Sequence, residues 1–215
     1  MMKKILILTF LLAFFTVSVC AQETGDAVEN YYGNKIYYKD LQNFKWAEPA
    51  IYHLAEYGLI SDENGYVYPQ KSISRAEFTK LVVGAFGLYD FDAQCNFKDV
   101  DKNSEYYTYI ASAYELGIIK GVQTDLFGME ENLLRQDMAT IIYRTAILCG
   151  VELAEKPVLD FADADMIDAY AREAVAALTG AKAVSGNLDY QFLPKNKANF
   201  AEACKILYYI MLKNT

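Results

Sequence analysis

The sequence predicts an all-α protein: three helix–loop–helix repeats packed as a pseudo-threefold bundle, after an N-terminal signal peptide. Three observations carry that expectation. Apolar residues recur at helical spacing in six stretches. The stretches form three pairs, and each pair repeats one order: an aspartate, a helix, a glycine-marked loop, a second helix start. The aspartates Asp40, Asp99 and Asp163 stand 35, 36 and 37 residues before Arg75, Arg135 and Phe200, a period of about 60. A helix pair cannot bury both apolar faces alone, so the copies should pack on one another around a shared core. Closure into a bundle is the simplest solution, and an open solenoid also satisfies the pattern.

The chain starts with two lysines in residues 1–4, an almost wholly apolar run over 5–19, and Val19-Cys20-Ala21 before Gln22. That layout reads as a secretory signal peptide, residues 1–21, cleaved after Ala21. Retention as a membrane anchor is the alternative. Lipidation at Cys20 is disfavoured because Val19 is bulky where a lipobox has Gly, Ala or Ser. No later stretch is long and apolar enough to span a bilayer. Residues 22–37 read as a polar linker, followed by repeats at 38–92, 93–156 and 157–215.

Composition is globular, with 53% hydrophobic and 22% charged residues. The net charge of −8 includes the leader's two lysines, so the rest is more acidic still. Such a chain is repelled at long range by nucleic acid, and any anionic polymer must be bound through local sites. Beyond the leader, Cys95, Cys149 and Cys204 make an odd, widely spaced set, which reads as buried thiols. With no CxxC and only His53, neither a zinc site nor a Ser-His or Cys-His triad is supported. No catalytic residue, metal ligand or cofactor is assigned.

In the first repeat Tyr38-Lys39-Asp40-Leu41 leads to Trp46, Ala50, Ile51, Leu54 and Tyr57 at helical spacing, stopping at Gly58. A loop through Asp62, Gly65 and Pro69 reaches Ile73-Ser74-Arg75-Ala76-Glu77. Ser74 and Glu77 form a capping box that opens the second helix. Arg75 lies on its first turn, where a guanidinium fork beside helix-start amides suits an anion. The second repeat reads Phe97-Lys98-Asp99-Val100, a helix ending at Leu116-Gly117, then Ile118-Ile119-Lys120-Gly121. Leu133-Leu134-Arg135-Gln136-Asp137 opens its second helix. The third reads Phe161-Ala162-Asp163-Ala164, a helix carrying Ala174, Val175 and Leu178, then Lys182-Ala183-Val184-Ser185-Gly186. Ala198-Asn199-Phe200-Ala201-Glu202 opens its last helix.

This ordered set, in triplicate, resembles the S-layer homology domain, whose repeats read F-x-D-V, an aromatic, L-x-x-x-G-I-I-x-G, F-x-P and I-T-R-A-E. The resemblance covers about 38–211. It implies a three-pronged module that holds exported proteins noncovalently on the cell wall, with a secondary cell-wall polysaccharide bearing pyruvate ketals as the usual ligand and, in some bacteria, peptidoglycan-linked polymers. In that family the helix-start arginine and its neighbours, with glycine-loop residues, line grooves between repeats. Carried onto this chain, the implied ligand-binding residues are Ser74, Arg75 and Glu77, Arg135 and Asp137, Trp46 as the aromatic, Asp40 and Asp99, and Gly121. A ketal carboxylate suits an arginine fork. Trp46 suits the apolar face of a sugar.

The copies differ. Leu134 replaces the hydroxyl cap, Gln136-Asp137 replaces Ala-Glu, and Phe200 replaces the arginine. The expectation is therefore a full site at Arg75, a second at Arg135 and a degenerate one at Phe200. Each feature also has a plainer reading. The aspartates would cap the first helices by accepting backbone amides. Trp46 would anchor the core. Gly121 would shape its loop, its functional reading being close approach of a sugar. A wall glycosidase using Glu77 with Asp137 is disfavoured, because a carboxylate bonded to amides is the wrong general acid. A structural or adaptor protein whose repeats bind protein is the other class. The expected location is the cell wall or cell surface.

Overall fold

The computed structural model describes residues 28–29, 35–153 and 156–214; the signal-peptide reading falls outside them. Six α-helices follow the three-pair order: α1 (Glu48–Glu56), α2 (Arg75–Ala85), α3 (Tyr107–Glu115), α4 (Arg135–Leu148), α5 (Arg172–Gly180) and α6 (Phe200–Lys213). Within the stretch expected as linker, β1 (Val28–Glu29) pairs antiparallel with β2 (Lys35–Ile36), and this short ribbon lies on α1.

The first helices end as their sequences require. Gly58 and Gly117 follow α1 and α3 with φ of 69° and 71°. Their successors, Leu59 and Ile118, donate back to Leu54 and Ala113. The third repeat makes the same bend with a lysine, Lys182, at φ 61°.

Packing does not follow sequence pairs. Each second helix packs chiefly on the first helix of the following repeat: α2 on α3, α4 on α5, and α6 back on α1. The second helices also meet one another at the centre, so the ring is closed and the open solenoid is ruled out. Ile51, Leu54, Phe78, Val82, Ile110, Ile142, Leu178 and Leu207 are fully buried in one continuous core.

A backbone triangle lies at the hub, one residue from each repeat. Ile73 N–H donates to Ala198 (3.1 Å), Ala198 to Leu133 (2.8 Å), and Leu133 to Ile73 (2.9 Å). Helix starts leave free amides, and here the neighbouring repeat takes them. Arg75 and Ala76 donate to Glu131 and Met129, Arg135 and Gln136 to Asn196 and Pro194, and Phe200 and Ala201 to Lys71 and Pro69. One repeat alone would leave these donors without partners.

The conserved position of the three aspartates within the repeats has a different use from the one expected. Helices α1, α3 and α5 carry no side-chain cap. Asp40 instead accepts from Val67 and Tyr68, Asp99 from Phe127, Gly128 and Met129, and Asp163 from Phe192 and Leu193. Each carboxylate thus pins the loop that precedes the second helix. That loop needs the help, since its turning residue has positive φ in every copy: Tyr68 at 51°, Gly128 at 78° and Leu193 at 58°.

Candidate functional site: grooves between repeats

The capping box at Ser74 and Glu77 forms as its sequence predicts, and Asn199 with Glu202 repeats it. Leu134 offers no cap, and its N3 acid, Asp137, turns to Tyr170 Oη and towards Arg75 at 3.8 Å.

Arg75 is 7% exposed. Its Nε–H donates to Phe127 O (2.9 Å) and its Nη2 to Lys120 O (2.8 Å), and its guanidinium lies 4.9 Å from the Phe127 ring. Burial draws the guanidinium below its ordinary value, with Asp137 the leading opposing charge. The Arg75 amide expected to help grip an anion is bonded to Glu131, and its guanidinium fork ties repeat one to repeat two. Arg135 makes the same tie one repeat on, Nε–H to Phe192 O (2.8 Å) and Nη1 to Glu202, over the Phe192 ring.

Gly121 packs against its own loop. A Cβ there would lie 2.3 Å from Gln123 O and 2.4 Å from Leu126 O, so the chain, not a ligand, demands glycine. Asp99 is held by amides in the same way. Burial opposes its charge, but the Phe127, Met129 and Gly128 amides outweigh that and hold it below the usual carboxylate value.

Gln136, read as a departure from the motif, proves to be a connector. It is 1% exposed and donates to Asp168 (2.6 Å) and Tyr170 Oη (2.7 Å). Lys195 first, then Gln136, hold Asp168 below its ordinary value. Burial and the bond to Asp137 push Tyr170 well up. This network from Arg75 to Lys195 joins all three repeats.

Among the described residues, two grooves stand out between repeats. The larger, about 460 Å³, lies where repeat three meets repeat two, and Trp46 of repeat one also lines it. Arg135 and Met138 form one wall. Ser185, Gly186, Asn187, Gln191 and Asn196 form the loop side, with Glu202, Lys205 and Trp46 beyond them. Trp46 is 47% exposed, with Lys205 Nζ 5.3 Å from its ring centre, so it is a surface residue and not a core anchor. Arg135, Lys197 and Lys205 against Glu202 alone make this groove cationic on an acidic protein. Sequence reasoning passed over Lys205, although it lies three residues after Glu202 and hence on the same helix face.

The smaller groove, about 270 Å³, lies where repeat one meets repeat three. It is lined by Ser61, Val67, Tyr66, Tyr68 and Phe200, with Asp62, Glu63 and Glu77 against Lys71. Its charge balance is the reverse of the first. Cys95 and Cys204 are buried and Cys149 is half-buried, each thiol raised by burial and remote in role from either groove.

The sequence model of the S-layer homology domain matches residues 37–79, 96–139 and 160–204. An endoglucanase of Bacillus sp. (strain KSM-635) is 26% identical over 214 residues, 99% of this chain and 22% of the relative. The surface-layer 125 kDa protein of Lysinibacillus sphaericus is 34% identical over 59% of this chain and 10% of its own length. The exoglucanase XynX of Acetivibrio thermocellus is 27% identical over 79% of this chain and 16% of its own. The chain therefore spans about a fifth or less of these relatives. With the family's repeat matched three times, in the register of the helix pairs and the hub, this chain belongs to the S-layer homology family of cell-surface anchoring modules.

Proposed function

We propose that the chain attaches noncovalently to a wall polysaccharide, and that the groove between repeats two and three receives an acidic sugar unit such as a pyruvate ketal. One observation carries the reading: an exposed tryptophan, three cations and several amide side chains converge in one groove of about 460 Å³. Trp46 offers a flat face to a sugar ring. Lys205, Lys197 and Arg135 supply local attraction for an anion on an acidic chain. Asn187, Gln191 and Asn196 can each donate and accept, which matches sugar hydroxyls. Ser74, Arg75, Glu77, Asp40, Asp99, Asp137 and Gly121 act on this binding by holding the repeats and loops in place. The role is binding without catalysis.

Cosedimentation of the chain with wall sacculi, with and without their ketals, tests this. Loss of binding on ketal removal and in Lys205→Gln is expected. Undiminished binding in both would overturn the mechanism.

A further inference from the structure

The repeats themselves act as internal comparisons for the smaller groove. In the first, Arg75 donates to Lys120 O and Phe127 O and faces Asp137. In the second, Arg135 donates to Phe192 O and pairs with Glu202. Backbone bonds fix the third register: Phe200 N–H reaches Lys71 O as Arg75 N–H reaches Glu131 O. Ser61, Val67 and Glu77 then stand where Lys120, Phe127 and Asp137 stand, and all three line the groove beside Phe200.

The acceptors are kept while the arginine is not. Among the described residues, no donor reaches the carbonyl of Ser61 or Val67, whereas Lys120, Phe127 and Phe192 each accept from arginine. Glu77 spends one oxygen on Ser74 N–H, and its other has only Lys71 at 3.9 Å. Two carbonyls and a carboxylate in this arrangement hold a guanidinium in one sister repeat, and a carbonyl with a carboxylate does so in the other. Asp62 and Glu63 add to the attraction, and Phe200 supplies an aromatic face.

We propose that this groove receives a guanidinium group from another molecule, an arginine side chain on an exposed peptide segment of a partner protein. At about 270 Å³ it suits one side chain better than an oligosaccharide. A planar fork matches the divided acceptors, which a lysine ammonium does not.

The test is titration of the purified chain with N-acetyl-arginine amide, followed by amide chemical shifts, with N-acetyl-lysine amide as comparison. Saturable binding of the arginine probe is expected, with shifts at Ser61, Val67 and Glu77. Glu77→Gln should weaken it about tenfold or more. Phe200→Arg should abolish it by filling the groove from within, leaving sedimentation with sacculi unchanged. Asp189→Asn, an exposed acid outside the groove, should have no effect. Equal affinity for the lysine probe, or loss in Asp189→Asn matching that in Glu77→Gln, would overturn the proposal, as would unchanged binding in Phe200→Arg. Wall binding is read separately, so either proposal can fail alone.

Discussion

The Nε–H of Arg75 donates to the carbonyl of Phe127 at 2.9 Å, across 52 residues of chain. The bond crosses from the second helix of one repeat to the loop of the next. It recurs between Arg135 and Phe192 at 2.8 Å. The motif arginine is a strut between repeats before it is anything else.

Removing that strut should cost stability. Arg75→Ala leaves Asp137 and two loop carbonyls short of a partner, so unfolding free energy should fall by about 3 kcal/mol. Urea denaturation measures it. Arg75→Lys should restore little, since a point charge cannot serve two carbonyls at once. Wall binding by the folded fraction should stay within a few-fold of the parent.

Trp46 should behave in the opposite way. Half exposed over the cationic groove, it has little core packing to lose. Trp46→Ala should weaken sedimentation with sacculi about tenfold and leave the urea midpoint nearly unchanged. A large drop in stability with intact binding would return Trp46 to the core.

Asp99 predicts a pH dependence. Its folded pKa lies below the ordinary value, so its stabilisation is complete above the unfolded carboxylate pKa, near 4. It is lost as pH falls through the lower folded value. The parent should therefore lose more stability between about pH 4 and pH 2 than Asp99→Asn does. At pH 7, Asp99→Ala should cost about 2 kcal/mol through the loop amides it abandons. Thermal unfolding across pH compares them.

Lys182 occupies a left-handed position that its two sister repeats give to glycine. Its side chain is exposed, so little packing is at stake. Lys182→Gly should raise unfolding free energy by about 1 kcal/mol. Gly117→Lys should lower it comparably.

The sequence by itself determined the six helices, their caps at Ser74 and Asn199, the glycine stops and the threefold repetition. All of these are local: periodicity, a box of four residues, a residue tolerant of positive φ. It also gave the family, because the motif order survives where single motifs decay. Only the tertiary structure decided what the marked residues do. Asp40, Asp99 and Asp163 looked like helix caps because a cap is the nearest use for an aspartate before a helix. Their partners lie 27 to 30 residues ahead. For Arg75, nothing in sequence shows that Phe127 and Lys120 bring carbonyls to it. Gln136 and Asp137 looked like decay, yet they bind Tyr170 and Asp168 of the following repeat. Trp46, Arg135 and Lys205 come from three different repeats, and only the closing of the ring, α6 on α1, gathers them at one groove. Short-range chemistry fixes which elements form; which polar groups remain for a ligand depends on contacts across the ring, made only when all three repeats have closed.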